Sequence, residues 1–302
     1  MHSEWNKRRR NPWIWPLLAV FIIALATAGC GSAKDQGEPF KVGVVPAQNK
    51  GDMQHAMDRL EKVLSHKLHR PVEIQVYSDY QGVVEAMKYK KMDMAFFGPL
   101  TFVQAAEKMD LKAVVTQLIH GSPYYHSYII VPKDSPIRSI DDLAKNSTQL
   151  HFAFGDINST SGSLIPGIAL TKKGVFKNPN DHRFKKITYT GSHDITALAI
   201  QHHKYDAGAI DSAIYEQLVK DGKVDGKKIR VIWKSEKLFQ YPWAVRSDVD
   251  EATVKKLQEA FLSVKDPAIL EVFGASGFTK AANRDYESIR KAAKAAGRLE
   301  MK

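Results

Sequence analysis

The sequence predicts an α/β fold in two lobes, and three observations support this. Short apolar runs typical of β-strands alternate with amphipathic helical stretches along most of the chain. Such alternation is typical of a mostly parallel sheet with helices on both faces. The chain has 302 residues, 44% of them hydrophobic, which is enough for two cores. Proline-rich steps after Val131 and at Pro242 mark the two places where we expect it to cross between lobes.

The first lobe is predicted to contain residues 40–132 and 242–302. Its strand patterns are short and apolar, and they cover residues 40–46, 72–76, 92–97, 113–117, 126–131 and 241–245. Its helical patterns cover residues 53–68, 80–89, 100–108, 254–264 and 285–296. In the first of these helices, Met53, Met57 and Leu60 fall on one face, as expected of a helix that packs on a sheet.

The second lobe is predicted to contain residues 133–241. Its strand patterns cover residues 151–154, 186–189, 207–210 and 229–233. Its helical patterns cover residues 139–143, 164–172, 195–202 and 213–219. Two α/β lobes joined by two crossings are typical of a hinged protein that closes on a ligand, with the cleft at the carboxyl ends of the strands.

The first 29 residues have the features of a secretory signal. A basic cluster, Lys7 to Arg10, precedes residues 13–28, which carry no charge and are too short for a comfortable membrane span. The signal leads into residues 25–30 (LATAGC), which resemble a bacterial lipobox. We therefore expect cleavage before Cys30, lipid attachment to its thiol, and a polar tether over residues 30–39.

Cys30 is the only cysteine, so no disulfide can form within the chain. A buried core cysteine is the alternative, but a thiol at the end of an apolar leader favours lipidation. We therefore predict an exported protein tethered to the outer face of the bacterial cell membrane, with a periplasmic location as the alternative.

Residues 156–163 (DINSTSGS) are the strongest candidate for a binding site. They connect a predicted strand to a predicted helix. A helix start offers free backbone N–H groups and the positive end of a dipole, and Ser159, Thr160 and Ser161 add hydroxyl donors. This combination suits a small oxyanion. The alternative is that Ser159 or Ser161 only caps the helix.

Sequence motifs for common enzyme chemistry are absent. There is no Gly-x-Ser-x-Gly elbow, no His-Glu-x-x-His, no Walker loop and no Cys/His metal spacing. His202 and His203 are adjacent and so do not share a helix face, which disfavours a metal site. The net charge of +11 is spread along the chain, which disfavours a nucleic-acid partner. We predict no enzyme activity, no metal and no cofactor.

Three further residues lie where they can complete an oxyanion site. His193 sits in a Gly-Ser-His-Asp turn before a helix and can donate a ring N–H. Tyr80 and Tyr125 lie near element starts and can close over a small ligand with their hydroxyls. The alternatives are a capping or core role for His193 and ordinary packing for each tyrosine.

Four segments together resemble the phosphonate/phosphite substrate-binding proteins of ABC transporters. They are residues 78–86 (SDYQGVVEA), 95–100 (AFFGPL), 156–162 (DINSTSG) and 191–194 (GSHD). The similarity extends from about residue 40 to residue 277, in order and at matching spacing. The resemblance implies the type 2 periplasmic binding protein fold, with two Rossmann-like lobes joined by a two-crossing hinge.

The resemblance also implies roles for the candidate residues. Tyr80 and Tyr125 would flank the ligand, while Ser159, Thr160 and Ser161 would hold the phosphonate oxygens and His193 would complete the clamp. Asp211 would accept a proton from a monoprotonated ligand.

Members that bind aminoalkyl phosphonates carry acidic residues where this chain has Ala213 and Tyr241. A buried ammonium without a carboxylate is costly. Phosphite or methylphosphonate is therefore expected in preference to 2-aminoethylphosphonate, although Asp211 alone remains available to an amine.

The predicted function is a lipid-anchored receptor that captures a small phosphorus oxyanion in the cleft and delivers it to the permease of an ABC importer. The alternatives are a receptor for another oxyanion such as phosphate, a sensory ectodomain that signals through a separate partner, and an exported hydrolase. The hydrolase would use His193 with Ser159 or Ser161.

Overall fold

The computed structural model describes residues 38–299, which form two α/β lobes. The strands, in chain order, are β1 (Phe40–Val44), β2 (Val72–Val76), β3 (Met94–Phe96), β4 (Leu111–Leu118), β5 (Tyr124–Tyr125), β6 (Ser127–Pro132), β7 (His151–Phe154), β8 (Phe176–Asn178), β9 (Asp181–His182), β10 (Lys186–Tyr189), β11 (Ala207–Asp211), β12 (Ile229–Lys234), β13 (Leu238–Phe239), β14 (Pro242–Arg246) and β15 (Gly277–Lys280). The prediction of an α/β fold is confirmed.

The helices alternate with the strands along most of the chain. In chain order they are α1 (Lys50–Leu68), α2 (Tyr80–Lys88), α3 (Pro99–Lys108), α4 (Ile140–Asn146), α5 (Ile165–Lys172), α6 (His193–Gln201), α7 (Ser212–Lys220), α8 (Glu251–Ser263), α9 (Pro267–Glu271) and α10 (Glu287–Ala295). Most begin after a side-chain cap, as in α2, where Asp79 accepts from the Gly82 N–H. No helix among residues 38–299 is long and apolar enough to cross a membrane.

The first lobe is built on a six-stranded sheet with the order β15-β4-β14-β3-β1-β2. Strand β1 runs parallel to β2 and β3, whereas β14 is antiparallel to β3 and β4. Helix α1 packs on this sheet through Met53, Met57, Leu60 and Leu64, which are all buried. The hydrophobic face of α1 predicted from its periodicity is therefore the face that meets the core.

The second lobe is built on a five-stranded sheet with the order β10-β7-β11-β6-β12. Strand β7 is parallel to β10 and β11, while β6 is antiparallel to β11 and β12. Both sheets are mixed, but each is mostly parallel as expected, because four strands run in one direction while β14 and β15 oppose them in the first lobe and β6 opposes them in the second. The strand that enters each lobe after a crossing, β6 or β14, takes an internal place and runs against its neighbours.

The membership of β6 differs from the sequence prediction. The sequence predicts that residues 126–131 belong to the first lobe, but β6 pairs within the five-stranded sheet. The first crossing therefore precedes β6 instead of following it. The two crossings also pair with each other, since β5 and β13 form a two-stranded antiparallel ribbon between the sheets. This ribbon places Tyr125 beside the cleft.

Candidate functional site

The turn after β7 carries the three predicted hydroxyl residues, and we call residues 159–163 the hydroxyl turn. Ser159, Thr160 and Ser161 are fully buried there. The Ser159 hydroxyl oxygen accepts the Gly162 N–H at 3.0 Å, so Ser159 does cap the helix start, as one of the alternatives predicted. Its proton remains able to donate to a ligand. The Ser161 carbonyl is held by the Ser127 hydroxyl at 2.6 Å.

Close backbone approach lets the hydroxyl turn fold against His193. The Gly155 N–H donates to the Gly162 carbonyl at 2.8 Å. A Cβ on Gly162 would lie 3.0 Å from the Gly155 Cα and 3.1 Å from a ring carbon of His193. Such contacts are too short for a side chain, so glycine is required at Gly162 to keep the turn this close.

Four buried hydroxyls have no hydrogen-bond partner among the described residues, and three of them, those of Ser161, Tyr80 and Tyr125, belong to this region, while the fourth is that of Ser147. The hydroxyls of Ser161 and Thr160 lie near that of Tyr125, but hydrogen-bond geometry is not met. A buried hydroxyl left unpaired costs about 1–3 kcal/mol. Three of them in one place mark a candidate site for a ligand that would accept from these donors.

The tyrosines come from both the first lobe and the hinge. Tyr80 is the first residue of α2, and Tyr125 lies in the hinge ribbon. Tyr241, at the second crossing, stacks on Phe96 with ring centroids 5.3 Å apart and lies 5.7 Å from the Tyr125 ring. Burial raises the pKa of Tyr80, Tyr125 and Tyr241, so all three remain neutral donors.

Tyr241 is a site residue that the sequence reasoning missed. Its hydroxyl lies 3.3 Å from His193 Nε2. The sequence distinguishes Tyr241 only as a position that lacks the acidic group expected of aminoalkyl phosphonate binders. The available signal was its place just before Pro242, where the chain crosses between lobes.

His193 is held as a neutral donor. It is the first residue of α6, and its backbone N–H donates across the cleft to the Ala47 carbonyl at 3.1 Å. Its Nδ1 accepts the Asp211 N–H at 3.3 Å, so the ring proton resides on Nε2. Nε2 faces Tyr241 and the Ser159 hydroxyl, the latter at 3.5 Å. Burial lowers the pKa of His193 to about 3, which keeps the imidazole uncharged.

Asp211 ends β11 and caps α7. One carboxylate oxygen accepts the N–H groups of Ala213 at 2.8 Å and Ile214 at 3.1 Å. Burial raises the pKa of Asp211 to about 7, although these N–H groups and the Tyr241 hydroxyl act in the opposite direction. Near neutral pH the group can therefore either accept or retain a proton beside the buried hydroxyls.

Several helix starts from both lobes converge on these residues. Helices α2 and α6 begin at Tyr80 and His193, and α7 begins directly after Asp211. At the start of α3, the Leu100 N–H donates to the Thr160 hydroxyl oxygen at 2.7 Å. We call the set Tyr80, Tyr125, Ser159, Thr160, Ser161, His193, Asp211 and Tyr241 the socket. None of its members carries a permanent positive charge, so an anion would be stabilised by hydrogen bonds and helix dipoles.

Thr160 joins the lobes as well as lining the socket. Its oxygen is already occupied by the Leu100 N–H of the first lobe, which leaves its proton as the donor toward a ligand. The Ala47 carbonyl, which accepts from His193, supplies a second backbone contact across the cleft. These contacts show that the structure is a closed form.

A small cavity adjoins the socket on the side of Asp211 and Tyr241. It has a free volume of about 20 Å³, enough for roughly one water molecule. Phe96, Phe273 and Gln117 also line it. Ala213 and Tyr241, where related aminoalkyl phosphonate binders were expected to have acidic residues, both face this cavity. Of the described residues in its lining, Asp211 alone has a carboxylate.

The structure brings together all seven predicted binding residues. The eighth predicted site, Cys30, lies outside the described residues. Among residues 38–299, no group of three or more His, Cys, Asp and Glu side chains is arranged to hold a metal ion.

Comparison with known proteins places this geometry in context. Residues 42–286 match the family model of the periplasmic substrate-binding proteins of phosphonate ABC transporters. The chain is 31% identical to a phosphate-import protein of Mycolicibacterium smegmatis over 80% of this chain and 79% of that protein. It is 28% identical to a probable phosphite-binding ABC transporter protein of Prochlorococcus marinus, over 83% and 87%.

A solved structure shares the fold. A Prochlorococcus marinus binding protein in complex with methylphosphonate is 27% identical, with a TM-score of 0.76, and the match covers 86% of this chain and 98% of that one.

Proposed function

Because the chain belongs to the periplasmic substrate-binding proteins of phosphonate ABC transporters, we propose that it captures phosphite or a small phosphonate such as methylphosphonate and delivers it to a permease. The observation that carries the proposal is the set of unpaired buried hydroxyls of Ser161, Tyr80 and Tyr125 beside the His193 Nε2–H. Tetrahedral oxyanions present several acceptor oxygens at once, which suits donors that converge from different directions.

The size of the adjoining cavity supports a small substituent on phosphorus. A hydrogen atom or a methyl group fits a volume of about 20 Å³, whereas an aminoethyl chain requires the lining to move. Among the described residues that line this cavity, a buried ammonium would also meet Asp211 as its only carboxylate, and that group already caps α7. The protein should therefore prefer phosphite and methylphosphonate to 2-aminoethylphosphonate.

Calorimetric titration of the purified protein tests this proposal. The panel is phosphite, methylphosphonate, 2-aminoethylphosphonate, phosphate and sulfate, each measured at the same pH and ionic strength. We expect tight binding of phosphite or methylphosphonate and only weak binding of sulfate. Absence of heat for every phosphorus ligand refutes the proposal.

Phosphate is a second candidate, since one relative at 31% identity is a phosphate-import protein. Asp211, whose pKa burial raises to about 7, is suited to accept the proton that phosphate carries near neutral pH. Sulfate has no such proton and would meet the carboxylate with an unprotonated oxygen. Phosphate binding tighter than that of phosphite and methylphosphonate would favour this candidate.

We infer further that the protein is not a hydrolase. A serine hydrolase needs the histidine nitrogen nearest the serine to accept a proton. Here His193 Nε2 bears the proton, because Nδ1 accepts the Asp211 N–H. Incubation with a chromogenic phosphoester should release no product, and turnover that His193→Gln abolishes would overturn this inference.

The periplasmic class of the family indicates an exported protein. We propose that it is tethered through lipid on Cys30, on the strength of the apolar leader and the lipobox-like residues 25–30. Cys30→Ser should move the protein from the membrane fraction to the soluble fraction. An unchanged membrane fraction with this variant would contradict lipid tethering.

A further inference from the structure

Arg298 is fixed to the first lobe by its backbone. Helix α10 ends in a Schellman motif, in which Gly297 has a φ of +64° and the Arg298 N–H donates to the Ala293 carbonyl at 2.8 Å. The Gln104 side chain of α3 donates to the Arg298 carbonyl at 3.0 Å. The main chain of Arg298 therefore moves with the first lobe.

The guanidinium of Arg298 reaches the second lobe. Its Nη2 donates to the Ile157 carbonyl at 2.6 Å and lies 3.5 Å from the Asn158 side-chain oxygen. Both acceptors directly precede Ser159, the first residue of the hydroxyl turn. The Asn158 amide also lies 3.4 Å from Gln81 of α2, a second and longer contact between the lobes.

We propose that Arg298 is a latch that holds the closed, ligand-bound form without touching the ligand. The proposal rests on the proposed function, in which the lobes close over a phosphorus oxyanion. Its guanidinium contacts join residues of different lobes, so they are lost when the lobes separate. The apparent affinity of a hinged receptor falls in proportion to the fraction of its closed form. Arg298 is therefore a positioning residue for binding.

The chemistry of the contact favours arginine. Both acceptors are reached by Nη2, one terminal nitrogen of the guanidinium, which carries two N–H donors and keeps its charge on burial, whereas a buried lysine loses its proton more readily. The buried carboxylate of Asp156 lies in the same segment and is attracted to Arg298. Without Arg298, closure would bury Asp156 near an anionic ligand with no compensating cation from the chain end.

The experiment compares Arg298→Gln with Arg290→Gln in the full chain. Arg290 lies on the same helix, but its partners Glu107 and Glu287 are both in the first lobe. The first readout is release of isotopically labelled methylphosphonate after addition of excess unlabelled ligand. We expect Arg298→Gln to release ligand about tenfold faster, as for loss of one hydrogen bond to a charged group. Arg298→Lys should restore part of the retention, and Arg290→Gln should resemble the wild type.

The second readout needs no ligand. The exposed residues Tyr89 in the first lobe and Val231 in the second are both replaced by cysteine in a Cys30→Ser background. Spin labels attached to these two cysteines report the distance between the lobes. Ligand-free Arg298→Gln should show a larger share of long distances than Arg290→Gln. If the wild type retains no methylphosphonate, the proposed ligand is refuted. The distances between the spin labels in the ligand-free proteins still test whether Arg298 holds the lobes closed.

Unchanged release and distances in Arg298→Gln, or equal changes in Arg290→Gln, overturn the latch. If Arg298→Gln does not fold, Gln104→Ala takes its place, because it removes the side chain that supports the Arg298 carbonyl. That variant should release ligand a few times faster, and a wild-type rate overturns the proposal.

Discussion

Thr160→Val removes at once the two roles that the structure gives to this hydroxyl. Valine nearly matches threonine in shape but can neither donate to a ligand nor accept the Leu100 N–H. Losing a hydrogen bond to a charged oxygen costs about 1.5–3 kcal/mol, and leaving the buried Leu100 N–H unpaired in the closed form costs a further 1–3 kcal/mol or so. The sum is about 2.5–6 kcal/mol, roughly a 60-fold to 20,000-fold loss of affinity.

Ser161→Ala provides the internal comparison. The Ser161 hydroxyl has no partner among the described residues, so its removal should cost only the ligand bond, about 1.5–3 kcal/mol or roughly 10-fold to 150-fold. Thr171→Val is a matched control for the threonine change, because its hydroxyl donates to the Gly167 carbonyl within α5. It should leave affinity near that of the wild type.

Calorimetric titration with methylphosphonate gives the three affinities, and urea unfolding of the ligand-free proteins checks their stability. A Thr160→Val affinity within threefold of the wild type refutes the donor role. A loss no larger than that of Ser161→Ala refutes the added contribution from the Leu100 contact.

Three further outcomes follow from the site. Burial raises the pKa of Asp211 from 3.8 to about 7, so the stability that its neutral form contributes is present below about pH 4 and lost as the pH rises through about 7. Burial lowers the pKa of His193 from 6.5 to about 3, so its contribution is present above about pH 6.5 and lost as the pH falls toward 3. Asp211→Asn should therefore make the ligand-free protein lose more stability than the wild type when the pH falls from 7 to 4. His193→Gln should make it lose more stability than the wild type when the pH rises from 4 to 7. Urea unfolding across this range measures both effects, and plots of unfolding free energy against pH that run parallel for variant and wild type count against these pKa values. Gly162→Ala should destabilise the protein by about 1–3 kcal/mol and weaken ligand binding, because its Cβ would lie 3.0 Å from the Gly155 Cα. Gly167→Ala within α5 is the control and should be tolerated, because its Cβ would meet only the Phe176 ring at 3.4 Å. Equal effects of the two changes in urea unfolding and titration would show that the close approach of Gly162 to Gly155 is unimportant. At pH 8 the wild type should bind sulfate poorly, and the Asp211→Asn variant should bind it more tightly, because the change removes a carboxylate that repels an unprotonated sulfate oxygen. An unchanged sulfate affinity by titration argues against that role for Asp211.

Local sequence patterns were sufficient to predict the elements that build the socket. Periodicity predicted helix α1 and its buried face, and the run of hydroxyl residues predicted the turn at Ser159 to Ser161. His193 was expected just before a helix and is its first residue. These features depend on a few consecutive residues, which is why they can be inferred without the fold.

Features that depend on contacts between distant segments were not predicted. The pairing of β6 with β11 and β12 depends on which sheet accepts the chain after the first crossing, and its apolar pattern fits either lobe. The Leu100 contact of Thr160 and the Arg298 contact of Ile157 join residues far apart in sequence. Strand β15 and the short β8–β9 hairpin were also missed, because their sequences alternate weakly.

A crystal structure of the methylphosphonate complex tests the central claim most directly. The phosphonate oxygens should lie within hydrogen-bond distance of the Ser161 hydroxyl, the Tyr125 hydroxyl and His193 Nε2. A second, larger groove is lined by Ser163 of the hydroxyl turn and by Ile168 and Phe176. Methylphosphonate bound in that groove, with the socket hydroxyls still unpaired, would contradict the assignment.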